Sequence, residues 1–120
     1  MNESILENIR KCLGGSATDY TYFDIDIMMH TNTFLANLVQ MGVGTPGFML
    51  VDASQTWEDF LGSGYPASRL PQVKSYIYIK VKLVFDPPMS SLAADQLEKA
   101  AKELEWRLNV EVDPGLNNLD

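Results

Sequence analysis

One stretch decides what this chain can fold into. The run Lys74-Ser75-Tyr76-Ile77-Tyr78-Ile79-Lys80-Val81-Lys82-Leu83-Val84-Phe85 alternates almost throughout and is rich in β-branched and aromatic residues. Propensity and period two both describe a half-buried strand. A helix fits the same letters. Val73, Ile77, Val81 and Val84 then form one apolar line, with Tyr76, Ile79 and Leu83 beside it, while Lys74, Tyr78 and Lys82 share the opposite face. Lys80 is the residue the helix accommodates worst. Asp86-Pro87-Pro88 ends either element, because a residue before proline is driven out of helical geometry.

The flanking segments are helical in pattern. Residues 90–110 place Ala93, Leu97, Ala100/Ala101, Leu104 and Leu108 on one stripe, with Ser90 or Ser91 as the cap. Asp95–Lys99, Glu98–Lys102 and Glu103–Arg107 are i,i+4 pairs that support a helix. Residues 2–13 form a short helix through Ile5, Ile9 and Cys12/Leu13, stopped by Gly14-Gly15. Ser16, Thr18 and Asp19 offer caps for a second helix. Its stripe is Tyr20, Phe23, Ile27, His30, Phe34, Leu38 and Met41, closed by Gly42.

Residues 42–66 are irregular. Gly42-Val43-Gly44-Thr45-Pro46-Gly47 is a loop, and Phe48 to Val51 is a short strand or an extended packed segment. Asp52 or Ser54 caps a single turn that carries Trp57, Phe60 and Leu61. At 120 residues the chain is one domain. The expected division is a helical unit over 1–110 and a C-terminal arm over 111–120, extended or disordered around Pro114-Gly115 and Asn117-Asn118.

Composition then removes whole classes of function. Nine Lys+Arg stand against 16 Asp+Glu, for a net charge of -7. A nonspecific nucleic-acid binder needs cations to displace phosphate counterions, and docking on anionic lipid needs the same. The lone Cys12 allows no intrachain disulfide, and a single histidine allows no multi-His metal site within one chain. Met1-Asn2-Glu3-Ser4 carries no apolar signal core, and no run approaches the ~20 apolar residues of a membrane span. A chain made and kept in a reducing cytoplasm is expected.

The candidate chemistry is thin. Asp26 and His30 are i,i+4, a spacing that can orient an imidazole, but no nucleophile motif accompanies them. His30 therefore reads as a packed structural histidine. Asp24 and Asp26 diverge by about half a helical turn and read as a solvated acidic flank. The 42–47 glycines lack a following Lys-Ser/Thr and follow a helix, so they are not a phosphate cradle. Cys12 reads as a small buried hydrophobe and the methionines as gap-filling core or contact residues. No catalytic residue, cofactor or metal is expected.

Partner-binding residues are more visible. Trp106 lies about 180° from Leu97 around its helix, on a face shared with Asp95, Lys99, Lys102 and Glu103. Either the 42–66 loops fold over this indole, or it anchors a protein interface. Trp57, in a glycine-flanked segment, reads as a weaker surface candidate. Lys74, Tyr78 and Lys82, with Tyr76, make the one concentrated basic-aromatic patch. It suits the acidic flank of a neighbouring copy, such as Asp24 and Asp26, better than phosphate.

Three segments resemble the small head–tail connector, or head completion, proteins of long-tailed bacteriophages and prophages. They are Leu38 to Gly44 with Gln55-Thr56-Trp57-Glu58-Asp59-Phe60-Leu61, then Val73 to Pro88, then Lys102-Glu103-Leu104-Glu105-Trp106-Arg107-Leu108-Asn109-Val110. The resemblance implies an all-α fold, here a small bundle of four main helices with an irregular loop segment and an extended C-terminal tail. It turns residues 69–86 toward helix. It also implies a structural virion protein, a ring homo-oligomer at the head–tail junction assembled in the host bacterial cytoplasm. Its expected partners are the portal protein and a stopper or tail-terminator protein, with DNA passing through unbound and no membrane contact. The alternatives are a non-viral cytoplasmic adaptor using the Trp106 face, or a small enzyme using His30 and Asp26.

Overall fold

A computed structural model describes residues 1–14 and 21–112. Among these residues there are five α-helices and no strand: α1 (Ile5–Cys12), α2 (Asp24–Gln40), α3 (Trp57–Leu61), α4 (Leu70–Phe85) and α5 (Ser91–Val112). Single 3-10 turns at Thr21–Phe23 and Ala67–Arg69 lead into α2 and α4. The bundle expected from the resemblance is therefore present, with α3 as a fifth, one-turn helix. The decisive segment is a helix, and Pro71 is tolerated because it sits in the first turn, where N–H groups have no helical partner.

The reason α4 ignores its strand-like alternation is its position. It packs against α1, α2 and α5, and it is the main packing partner of both α2 and α5. Val73, Tyr76, Ile77, Ile79 and Val81 are buried together, so more than one side of the helix is apolar by design. Burial on several sides outweighs the small intrinsic cost of β-branched residues in a helix. Lys80 is accommodated by placing its ammonium over the Phe34 ring, 5.3 Å from the centroid, and 3.9 Å from Glu105.

The N-terminus is stitched to the α3 region. Ile5 N–H donates to the Gln55 carbonyl, Trp57 N–H to Glu3 and Glu58 N–H to Met1. The N-cap of α3 is Thr56, not Asp52 or Ser54. Its hydroxyl accepts from the Asp59 N–H at 3.2 Å, and Asp59 accepts from the Thr56 N–H at 2.9 Å, a reciprocal capping box. Ser4 caps α1 and Ser90 caps α5 through the Ala93 N–H. Ser16, Thr18, Asp19 and Tyr20, expected to open the second helix, lie outside the described residues. The expected arm likewise lies outside from residue 113 onward, and its first two residues continue α5.

Gly42 ends α2 as expected, with φ +91°. Val43 N–H reaches the Leu38 carbonyl at 2.8 Å and Gly42 N–H the Val39 carbonyl at 2.9 Å, the Schellman arrangement. The chain then turns under α3. Gly44 has φ +97°, and a Cβ there would come within 2.2 Å of Phe60 Cζ. Gly44→Ala should cost at least about 2 kcal/mol, from overpacking plus an unfavourable φ. A lowered urea midpoint would show it, and an unchanged midpoint would mean the loop is not wedged there. Phe48–Val51 is extended without pairing as a strand. Instead the Asn32 amide brackets Leu50, accepting from its N–H at 2.7 Å and donating to its carbonyl at 3.0 Å.

Two core polar contacts were not legible as such. Arg10 is 4% exposed, with Nε 3.2 Å from Asp24 Oδ1. Asp24 is thus a half-buried partner of a buried arginine, tying α1 to α2, not part of a solvated flank. Tyr76 donates its hydroxyl proton to Glu105 at 3.1 Å, and burial, with that carboxylate beside it, pushes the phenol up to about 12. An unfolded tyrosine titrates near 10. The stability linked to this proton is complete below about pH 10 and is lost as pH rises toward 12. Tyr76→Phe should flatten that alkaline slope in denaturant midpoints. An equally steep slope in the variant would assign it to other groups.

Candidate functional site

The residues considered for chemistry do not converge. Asp26 is exposed and His30 half-buried on α2. Among the described residues no three His, Cys, Asp or Glu side chains gather as a metal site, and no helix is long and apolar enough to cross a membrane. Cys12 is exposed rather than buried, although partial burial still pushes its thiol pKa up. A shallow groove over α4 is lined by Phe34, Lys80, Leu83, Val84, Ala101 and Lys102. Its deep cation, Lys80, is already held by Glu105.

The expected partner-binding residues divide into two groups. Trp57 is 0% exposed, its indole N–H donating to Asn8 Oδ1 at 2.8 Å. The expectation of a surface position for it is wrong. The flanking glycines turn the chain, while the capping box turns the indole inward between α1 and α4. Lys74 pairs with Glu3 and lies 6.0 Å from the Trp57 ring centroid. That cation holds the Glu3 carboxyl below its ordinary range. Lys82 pairs with Asp86 at 3.6 Å, and Tyr78 packs against the core. Lys74, Tyr78 and Lys82 are all half-buried and engaged within the subunit. Of the expected pairing of Lys74 and Lys82 with Asp24 and Asp26 of a neighbour, both cations and Asp24 are taken by internal partners, and Asp26 stays exposed.

Trp106 remains on the surface, 65% exposed. The loops of 42–66 do not cover it. Its α5 face carries Leu92, Asp95, Lys99 and Lys102, and Leu92 is 67% exposed. Of the three i,i+4 pairs anticipated on this helix, Glu103–Arg107 closes, at 2.7 Å. Lys99 and Lys102 have no ion-pair partner among the described residues.

A second apolar face was missed. On α2 the buried positions are Ile27, Thr31, Leu35 and Leu38, while Ile25 is 79% and Met29 58% exposed. Tyr22, in the turn just before α2, is 87% exposed and continues their line. The signal was available: Ile25 and Met29 are large apolar residues that the chosen stripe leaves out. Tyr22 also packs edge-on against Phe23, which meets Phe85 at the end of α4, so this end of the bundle is aromatic. Val84 and Met89 are exposed near it.

The geometry is that of a closed core with large apolar side chains left outside it. The chain matches no curated protein and no solved structure. A family model described as phage connector protein matches residues 5–115. That span covers the five helices, the Arg10–Asp24 ion pair and both exposed apolar faces. The chain belongs to the phage connector proteins: it is a head–tail connector and a component of the virion.

Proposed function

We propose that this chain assembles as a ring between the portal of the DNA-filled capsid and the stopper or tail. The observation that carries the reading is the exposure of Trp106, Leu92, Tyr22, Ile25 and Met29 around a core that is already closed. Exposed side chains of this size add nothing to the fold of one subunit and are the residue types that anchor interfaces. The charge balance fits the same role. A ring of subunits each carrying -7 presents an acidic lumen that repels DNA, which suits a conduit through which DNA slides. Assembly takes place in the host bacterial cytoplasm.

The test is removal of the gene from its phage. Infected cells should accumulate DNA-filled heads and separate tails. Joined particles at normal yield would overturn the reading. The segment beyond α5 is proposed to dock on the portal or stopper. A chain ending at Val112 should keep its helical circular dichroism and melting midpoint and lose joining. Normal joining by that truncated chain would make the segment dispensable.

A further inference from the structure

The two outward faces of α2 and α5 are suited to each other. Resting on the ring reading above, we infer that the α2 face of one copy (Tyr22, Ile25, Asp26, Met29) packs on the α5 face of the next (Leu92, Lys99, Lys102, Trp106).

Three observations carry this pairing. The first is position. α2 and α5 both pack chiefly on α4, and each leaves apolar side chains exposed on the side turned away from it. A neighbour that sets its α5 against this copy's α2 covers both exposed sets at one contact. The second is apolar content. Tyr22, Ile25 and Met29 lie along one line, and Leu92 and Trp106 stand at either end of about 21 Å of α5 axis. The third is charge. The α2 line carries one acid, Asp26, without an ion-pair partner among the described residues. The α5 face carries Lys99 and Lys102, also unpaired, and Asp95 closer to Leu92. An acid amid apolar residues therefore meets two lysines between apolar anchors.

The pairing is heterologous, because the two surfaces are different. Such contacts leave one unmatched face at each end of any open array, and closure into a ring removes the last two. A partner of another kind on the α5 face would leave α2 bare.

Face-specific variants test this on the full-length chain. Ile25→Glu/Met29→Glu blocks the α2 face, and Leu92→Glu/Trp106→Glu blocks the α5 face. All four positions are exposed, so circular dichroism should match the parent. Sedimentation velocity should show the parent growing with concentration, and each variant alone remaining monomeric, with association at least about 30-fold weaker. An equimolar mixture of the two variants keeps one intact α2 face and one intact α5 face, and should form a dimer and nothing larger. A mixture that stays monomeric overturns the pairing, as does a variant that assembles like the parent or a parent that is monomeric at every concentration. Head–tail joining by the parent gene reports on the connector role separately, so failure of the pairing and failure of that role are distinguishable.

Discussion

Trp57→Ala should destabilise the subunit by about 3–5 kcal/mol, the range for truncating a fully buried large aromatic. The indole is 0% exposed and its N–H is held by Asn8. Its backbone N–H also donates to Glu3, so the residue joins α1, α3 and the N-terminal strand of contacts at one point. Lys74 of α4 closes the site from above, paired with Glu3 and lying over the ring. Truncation leaves a cavity where three segments meet, and the surrounding backbone is too well tied to collapse into it. Chemical denaturation read by circular dichroism should give a sharply lowered midpoint. A loss below about 1 kcal/mol, the size of an average point substitution, would mean that the α1–α3 junction is not part of the core.

The opposite pattern is expected at the other tryptophan. Trp106→Ala should leave subunit stability within about 0.5 kcal/mol of the parent, as for surface positions without a structural role. Its effect falls on association, where loss of an aromatic anchor costs about 2 kcal/mol or more, roughly 30-fold in affinity. Sedimentation velocity reads the association and denaturation reads the fold. In phage, the same substitution should lower the yield of joined particles. A variant that joins heads to tails normally would remove Trp106 from the interface. The two tryptophans thus separate the side chains spent on folding from those left for partners.

Those two roles were only partly legible in the chain. That Trp106 lies off the core stripe follows from the helical step, since residues 97, 101, 104 and 108 take the core side; that the 42–66 loops leave it bare does not. Trp57 was harder. Glycine-flanked segments are usually surface loops, and the letters Thr56-Trp57-Glu58-Asp59 that form the capping box are few. The phase of α2 was misjudged because that helix is apolar on two sides. The buried line of Ile27, Thr31, Leu35 and Leu38 competes with an outward line through Ile25 and Met29, and periodicity alone cannot rank them. α4 defeated local reasoning for a related reason. A helix buried against three others accepts β-branched residues at nearly any position, so strand propensity is overridden by packing. Arg10 could not have been placed from the sequence, because a charged residue is buried only when its partner arrives, and Asp24 lies in a different helix.

Subunits are expected to meet one another through surfaces the fold leaves bare. The most direct measurement is electron cryomicroscopy of the neck of purified particles, at a resolution that traces helices. A closed ring of this chain, with α2 of each copy seated on α5 of the next and Trp106 buried at every junction, is the expected result. A neck that lacks the chain, or a ring in which Trp106 still faces solvent, would contradict it.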